Sequence, residues 1–166
     1  MPAPKTKISQ TDRDLGPMGA GAVETTLDCS KLTCFIGFNL VRAETVIRRR
    51  LMEQLAPCQL TLAEFALLSL ISVNQGANQR QAGEVLEIAP PNMAHLVDRL
   101  AGRGLLTRVR GRRDRRVQLL SLTDAGYELL VQAETLVEEQ EAGVSAVLTP
   151  EEQTQLLGLL NKIRAL

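Results

Sequence analysis

The chain has 166 residues, 45% of them apolar, and its 19 basic and 19 acidic side chains give a formal net charge of zero. This length predicts about one domain with a buried core, and the charge balance excludes a uniformly basic protein. Three cysteines without a CxxC spacing, no signal-peptide layout and no run of eighteen apolar residues predict a cytoplasmic protein without a disulfide framework, a metal site or a membrane span.

The charges are distributed unevenly along the chain. Residues 99–116 contain eight arginines and one acid, whereas residues 123–166 contain eight acids and two bases. Such a division is typical of a protein in which one face binds nucleic-acid phosphates and another lies away from them.

The N-terminal part divides into a tail and a helix. Residues 1–27, rich in Pro and Gly, are predicted to be a mobile tail, with folding over a partner subunit as the alternative. From Asp28 to about Leu55, apolar residues recur at helical spacing on two faces, which predicts one helix with two packing partners. Pro57 is expected to end it.

Two helix starts follow, each with side chains suited to capping. Thr61 and Glu64 form a capping box, as do Asn78 and Gln81 at the start of a short helix over residues 79–86. After that helix, Glu87 occupies a joint at which glycine is common, so the sequence predicts either an unusual turn or a strained backbone at Glu87.

Pro90 and Pro91 open the next helix, because proline fits a first helical turn. Its buried face is predicted to comprise Met93, Leu96, Val97 and Leu100. Asn92, His95 and Arg99 fall on the opposite face, which suits a helix lying in a DNA major groove.

The remaining pattern predicts a hairpin and two helices. Residues 105–110 and 117–122 are predicted strands, bridged by an arginine-rich tip. A long helix follows over residues 123–147. Thr149, Pro150 and Glu152 then provide a cap, a first-turn proline and a capping acid for a last helix.

These motifs resemble the MarR family of transcriptional regulators over residues 30–166. The resemblance is carried by LTLAEFALLSLI from Leu60, DRLAGRGLL from Asp98, and RRDRRVQLLSLTDAGYELL from Arg112. It implies a mainly α fold with a small β-hairpin wing, that is, a winged helix-turn-helix domain plus a helical dimerisation region. The expected division is dimerisation helices at residues 28–56 and 148–166, a winged helix-turn-helix at residues 60–122 and a connecting helix at residues 123–147.

The resemblance implies a homodimer that binds an operator in double-stranded DNA. It indicates that Arg116, the arginine of the Asp-x-Arg pattern in the wing, reaches the minor groove while Asp114 holds the wing. Phosphate and base contacts are expected from the helices. The predicted DNA-binding residues are Gln79, Arg80, Pro91, Asn92, His95, Arg99, Arg112, Asp114, Arg115 and Arg116.

The resemblance also implies release from DNA by a small effector, often an aromatic carboxylate, bound near the dimer interface. The predicted ligand-binding residues are Phe35, Phe38, Arg42, Arg49 and Phe65. The sequence favours a repressor and not an enzyme, with no cofactor. Two alternatives stay open: a cysteine-based redox sensor, although buried inert thiols are favoured, and a dimeric protein-interaction module without DNA binding.

Overall fold

The computed structural model describes residues 27–74, 76–110 and 118–165. In these ranges the order is α1 (Ser30–Thr33), α2 (Ile36–Leu55), a 3-10 turn (Ala56–Cys58), α3 (Leu62–Val73), α4 (Gln79–Leu86), α5 (Pro90–Gly102), β1 (Leu106–Arg110), β2 (Gln118–Leu122), α6 (Asp124–Ser145) and α7 (Pro150–Arg164). The predicted fold class, mainly helical with one hairpin, is confirmed.

The single N-terminal helix predicted from Asp28 is wrong, because the chain breaks between α1 and α2. Phe35 is extended, with φ −90° and ψ 124°. The side-chain amide of Asn39 donates to the carbonyl oxygens of Thr33 at 2.8 Å and Phe35 at 2.9 Å. Side-chain hydrogen bonds of this kind compete with the helical ladder and stabilise the break.

The predicted helix starts are confirmed, because each is a local hydrogen-bonded unit. Thr61 and Glu64, Asn78 and Gln81, and Thr149 and Glu152 each form a reciprocal capping box. These pairs satisfy backbone amides that a helix leaves unpaired at its first turn.

The two strands form an antiparallel hairpin whose register runs from Leu106 opposite Leu122 to Arg110 opposite Gln118. Strand β1 begins one residue later than predicted, and both strands end where predicted. The hairpin is attached to the helices because the Leu120 amide donates to the Ala77 carbonyl at 2.8 Å.

Gly126 allows α6 to pack directly against the start of the hairpin. A Cβ at this position would collide with the carbonyl oxygen of Leu105. Thr123 fixes the same junction: its hydroxyl accepts from the Gly126 amide at 3.0 Å and donates to the Gly104 carbonyl at 2.6 Å. The long helix therefore leaves the hairpin in a defined direction.

The core lies where α3, α5 and the hairpin meet the end of α2 and the first half of α6. Its fully buried large apolar side chains are Leu55, Leu67, Leu68, Ile71, Met93, Val97, Leu100 and Leu120. By contrast, α1 and α7 contain no buried residue, and α2 buries only Leu55.

Within the described ranges, no single helix is long and apolar enough to be a membrane span. Only the bent pair Ile36–Cys58 and Leu62–Val73, meeting at 72°, passes that test jointly, on length and composition alone.

Candidate nucleic-acid interface

Helix α5 presents one buried face and one open face. Met93, Leu96, Val97 and Leu100 are all buried, as predicted. Pro91, Asn92 and His95 are exposed on the other side of the helix. The open face therefore carries an amide, an imidazole and a proline ring, a set able to bond base edges and contact a thymine methyl group.

The joint between α4 and α5 depends on a left-handed residue. Glu87 has φ 55° and ψ 36°, so the unusual backbone predicted there is confirmed. Gly83 allows the chain to turn back closely, because a Cβ on it would lie 3.1 Å from the Ile88 carbonyl oxygen. The Ile88 amide in turn donates to the Gly83 carbonyl at 2.9 Å. This turn sets the angle at which α5 crosses α4.

The start of α4 carries the two remaining helical candidates for phosphate contacts. Gln79 is half-buried at the first position of α4. Arg80 is exposed, and its only ion pair among the described residues is a loose one to Glu84, at 3.7 Å on the same helix. An exposed pair of this kind is weak, so the Arg80 guanidinium is available to another anion.

Arg99 is placed differently from Asn92 and His95. Its Nη2 lies 2.6 Å from Oε1 of Glu64, and its Nε donates to the same oxygen at 3.1 Å. Glu64 is buried, with 1% of its surface exposed. A phosphate contact by Arg99 stays a prediction, whereas the structure shows its ion pair with Glu64.

Sequence reasoning missed this role of Glu64, which it treated only as a helix cap. A signal was present: Glu64 falls in the helical series 64, 67, 68 and 71, which forms the buried face of α3. A carboxylate at a core position of an amphipathic helix predicts a buried cationic partner.

The base of the hairpin is tied to α5 by charge. Arg108, on β1, pairs with Asp98, on α5. Of the two side chains, that of Asp98 is the more exposed, at 62% against 31%. This pair holds the first wing strand against the helix and leaves Arg110 exposed at the strand's end.

The predicted wing tip lies outside the described residues. Four of the DNA-binding candidates fall there: Arg112, Asp114, Arg115 and Arg116. Their roles stay predictions.

Comparison with known proteins identifies the family. Residues 60–117 match the MarR family. The transcriptional repressor CouR, in a structure bound to a 23-mer DNA duplex, is 35% identical, with a TM-score of 0.80 and a match covering 83% of this chain and 98% of CouR. The chain belongs to the MarR family. As a MarR-family protein it is a DNA-binding transcriptional regulator, which confirms the resemblance.

Two further relatives extend the comparison. CouR from Rhodococcus jostii RHA1, bound to p-coumaroyl-CoA, is 27% identical with a TM-score of 0.73, over 80% of this chain and 93% of that one. An HTH-type transcriptional repressor of Mycobacterium bovis is 28% identical over 128 residues, which is 77% of this chain and 92% of that protein. Transcriptional regulators of the MarR family therefore match most of the chain.

The predicted effector residues are spread over α2 and α3 of this MarR-family chain. Phe35 is 63% exposed at the α1–α2 break, and Arg49 is exposed on α2. Phe38 is half-buried with the Arg42 guanidinium 5.7 Å from its ring centroid. Phe65 packs against the core. Of the five, the structure therefore brings Phe38 and Arg42 together.

Two cavities lie around α4. One of about 470 Å³ is lined by Leu70, Asn74, Gly76, Ala77, Gln81, Ala82, Glu84 and Val85. The other, of about 800 Å³, is lined by Gln79, Arg80, Gly83, Glu84, Glu87, Ile88, Ala89, Pro90 and Met93. The second opens at the α4–α5 joint, on the side of the predicted DNA contacts.

The prediction that all three thiols are buried is wrong for two of them. Cys29 and Cys34 are exposed, at the two ends of α1, and Cys58 is buried in the 3-10 turn. The continuous helix expected over residues 28–55 is interrupted after α1, and this break leaves Cys29 and Cys34 outside the core.

Proposed function

We propose that this MarR-family regulator is a ligand-responsive repressor that works as a homodimer. Each protomer places α5 in a major groove and its hairpin over the flanking minor groove. Two-fold symmetry then requires a near-palindromic operator with half-sites about one helical turn apart. The observation that carries the proposal is α5 itself, whose exposed face bears Asn92 and His95 while its opposite face is fixed in the core.

Different residues serve different parts of the DNA in this proposal. Asn92, His95 and Pro91 read base edges from α5. Arg80 and Gln79 bind phosphates and so fix the position of the protein on the duplex without reading sequence. The wing arginines Arg115 and Arg116 enter the minor groove, with Asp114 holding the tip and Arg112 on the backbone.

Dimerisation is proposed to use residues 28–56 and 148–166. The apolar side chains of α7 are exposed in the single chain: Leu156, Leu157, Leu159 and Ile163 are between 40% and 63% exposed. Helix α2 likewise exposes Ile36, Val41, Val46 and Met52. Exposed apolar surface of this extent on two helices favours coverage by a second copy.

The proposed effector is a small aromatic acid or a derivative such as its thioester. CouR supports this class, because solved structures show it bound to DNA and to p-coumaroyl-CoA. Within this chain, Phe38 and Arg42 place an aromatic wall beside a cation. An effector can release DNA only by its differential affinity for two dimer states, one with wrongly spaced recognition helices.

The test combines operator binding with thermal stability. An operator is selected from random duplex DNA and titrated in a gel-shift assay at low and moderate salt. Then p-coumarate, benzoate, p-coumaroyl-CoA and free CoA are added separately. We expect an aryl compound to raise Tm and release the operator, and free CoA to do neither.

The outcomes separate the two halves of the proposal. Absence of DNA binding at low salt would refute the DNA-binding role and favour an interaction module. Operator binding that survives every aryl compound, with no change in Tm, would refute only the response to this effector class.

The redox alternative is kept because Cys29 and Cys34 are both exposed. If it holds, peroxide changes operator affinity in the wild type, and Cys29→Ser or Cys34→Ser abolishes that change. Operator affinity that is the same with and without peroxide excludes it.

A further inference from the structure

The carboxylate of Glu64 is buried at the start of α3 with both of its oxygens occupied. Oε2 accepts from the Thr61 amide at 2.8 Å and from the Thr61 hydroxyl at 2.9 Å. Oε1 accepts from Nε of Arg99 at 3.1 Å and lies 2.6 Å from its Nη2. One side chain thus joins the cap of α3 to the recognition helix α5.

Arg103, one helical turn beyond Arg99, extends the connection. Its Nη1 donates to the Gln59 carbonyl at 2.8 Å and its Nη2 to the Cys58 carbonyl at 3.1 Å, while Nη1 lies 4.0 Å from Oε1 of Glu64. Gln59 has φ 52°, in the left-handed region. Glu64, Arg99 and Arg103, which we name the α5 clamp, therefore hold the end of α5 to the segment between α2 and α3.

The electrostatics of Glu64 make the clamp sensitive to displacement. Burial alone would raise the pKa of Glu64, but hydrogen bonds from Thr61 and Arg99 and the charge of Arg99 together lower it. If α5 rotated or slid, the carboxylate would stay buried without its cation, which is strongly unfavourable. The clamp therefore favours a single orientation of α5 relative to α3.

We propose that Glu64 and Arg99 are positioning residues for DNA recognition. Arg99 acts through Glu64, by holding Asn92 and His95 at the angle that base contacts need, and not as a phosphate ligand. This inference rests on the proposed DNA-reading role of α5. It replaces the expectation that Arg99 belongs with Arg80 among the phosphate contacts.

The two roles of Arg99 differ in their dependence on salt and on Glu64. Each phosphate contact contributes about 0.9 to the slope of log affinity against log salt concentration. A positioning residue leaves that slope unchanged, and two residues acting through one ion pair give non-additive losses. Glu64 is anionic and buried, so it cannot bind phosphate itself.

The experiment uses the full-length protein and its selected operator, with Glu64→Gln, Arg99→Gln, the double variant, and Arg80→Gln as the matched control. Glu64→Gln and Arg99→Gln should each weaken operator binding by about tenfold and leave the salt slope unchanged. The double variant should bind the operator with the same affinity as the single variant that binds it less tightly. Arg80→Gln should lower the slope by about one unit and combine additively with Glu64→Gln.

Arg99→Lys and a scrambled duplex distinguish a loss of positioning from a loss of folded protein. Lysine keeps the charge but loses the two-pronged contact with Oε1, so Arg99→Lys should also weaken operator binding, whereas a phosphate contact would largely survive. Positioning also predicts that binding to scrambled DNA changes less than binding to the operator, while a loss of folded protein reduces both equally.

The results that overturn the inference are specific. Arg99→Gln with a salt slope lowered by one unit and a loss additive with Glu64→Gln would make Arg99 a phosphate ligand. If the wild type bound no DNA, the proposed function would fail instead, so the two failures are distinguishable.

Discussion

Residues 60–122 and the outer helices α1 and α7 bury their apolar side chains to very different extents. In residues 60–122, the helices and strands share a core in which Leu67, Val97 and Leu100 are completely buried. In α1 and α7 no residue is buried, although α7 contains four leucines and one isoleucine. Residues 60–122 supply most of the core, to which Leu55, Leu130 and Ala133 also contribute, whereas the outer helices α1 and α7 expose their apolar side chains.

This contrast supports the proposal that the outer helices pair with a second copy of the chain. Hydrophobic stabilisation scales with the apolar area removed from water, so α5 is stabilised within one chain and α7 gains little there. Side-chain hydrogen bonds join α7 to the end of α6, because the Gln153 side-chain amide donates to the carbonyls of Ser145 at 3.0 Å and Leu148 at 3.1 Å. The outer helices are therefore expected to obtain their stability from dimerisation.

The largest expected effect is a loss of stability from a change in the hydrophobic core. Leu100→Ala should lower the free energy of unfolding by about 2–5 kcal/mol, because it removes packing at a fully buried site. The matched control is Val85→Ala, at a site 63% exposed, which should change stability by less than about 0.5 kcal/mol. Chemical denaturation at several protein concentrations measures both. Equal losses for the two variants would contradict the division into core and surface.

A charge on α7 should separate the protomers. Leu156 is 42% exposed in the single chain, and Leu156→Glu places a carboxylate on the proposed interface. Light scattering should show a monomer, and operator affinity should fall on the order of a hundredfold because two-site binding is lost. Gln155→Glu adds the same charge to the neighbouring exposed position and should leave the dimer intact. A dimeric Leu156→Glu protein would exclude α7 from the interface.

Removing the Asn92 amide should affect sequence reading and not folding. Asn92 is exposed on α5, so Asn92→Ala should keep the thermal midpoint. Operator affinity should fall by about 1–3 kcal/mol at the base it reads. Gel-shift titration against the operator and a scrambled duplex measures this, and an equal loss on both would mean that Asn92 only contacts the backbone.

The wing variant Arg116→Ala should weaken operator binding while the dimer stays folded. The expected loss is smaller than that for Asn92→Ala, because the neighbouring arginine, Arg115, keeps positive charge at the wing. Gel-shift titration and circular dichroism check the two parts. Unchanged affinity would count against minor-groove insertion of Arg116.

The smallest expected effect concerns acid stability. Burial raises the pKa of Glu64, but hydrogen bonds from Thr61 and Arg99 outweigh burial, so the pKa is lowered. Its contribution is therefore fully present above the ordinary glutamate pKa of about 4.3 and is lost as pH falls through the lowered value. The difference in Tm between wild type and Glu64→Gln should shrink as pH falls below about 4.3. A constant difference down to pH 3 would contradict this.

Local chemistry made much of the fold predictable. The capping boxes of Thr61 and Asn78, the proline start of α5 and the apolar face of α5 all depend on residues within one or two turns, so sequence spacing reveals them. The exposed face of α5, which carries Asn92 and His95, followed from the same periodicity. The hairpin also followed, with β1 and β2 ending at the predicted residues, Arg110 and Leu122.

Features that join distant segments were decided only by tertiary structure. The Arg99–Glu64 ion pair spans 35 residues, and the bond from Arg103 to the Gln59 carbonyl spans 44. The sequence placed Arg99 with Asn92 and His95 on the outer face of α5, but did not identify it as the partner of Glu64. A charge becomes a positioning group only when packing buries its partner, and burial is a property of the folded chain as a whole.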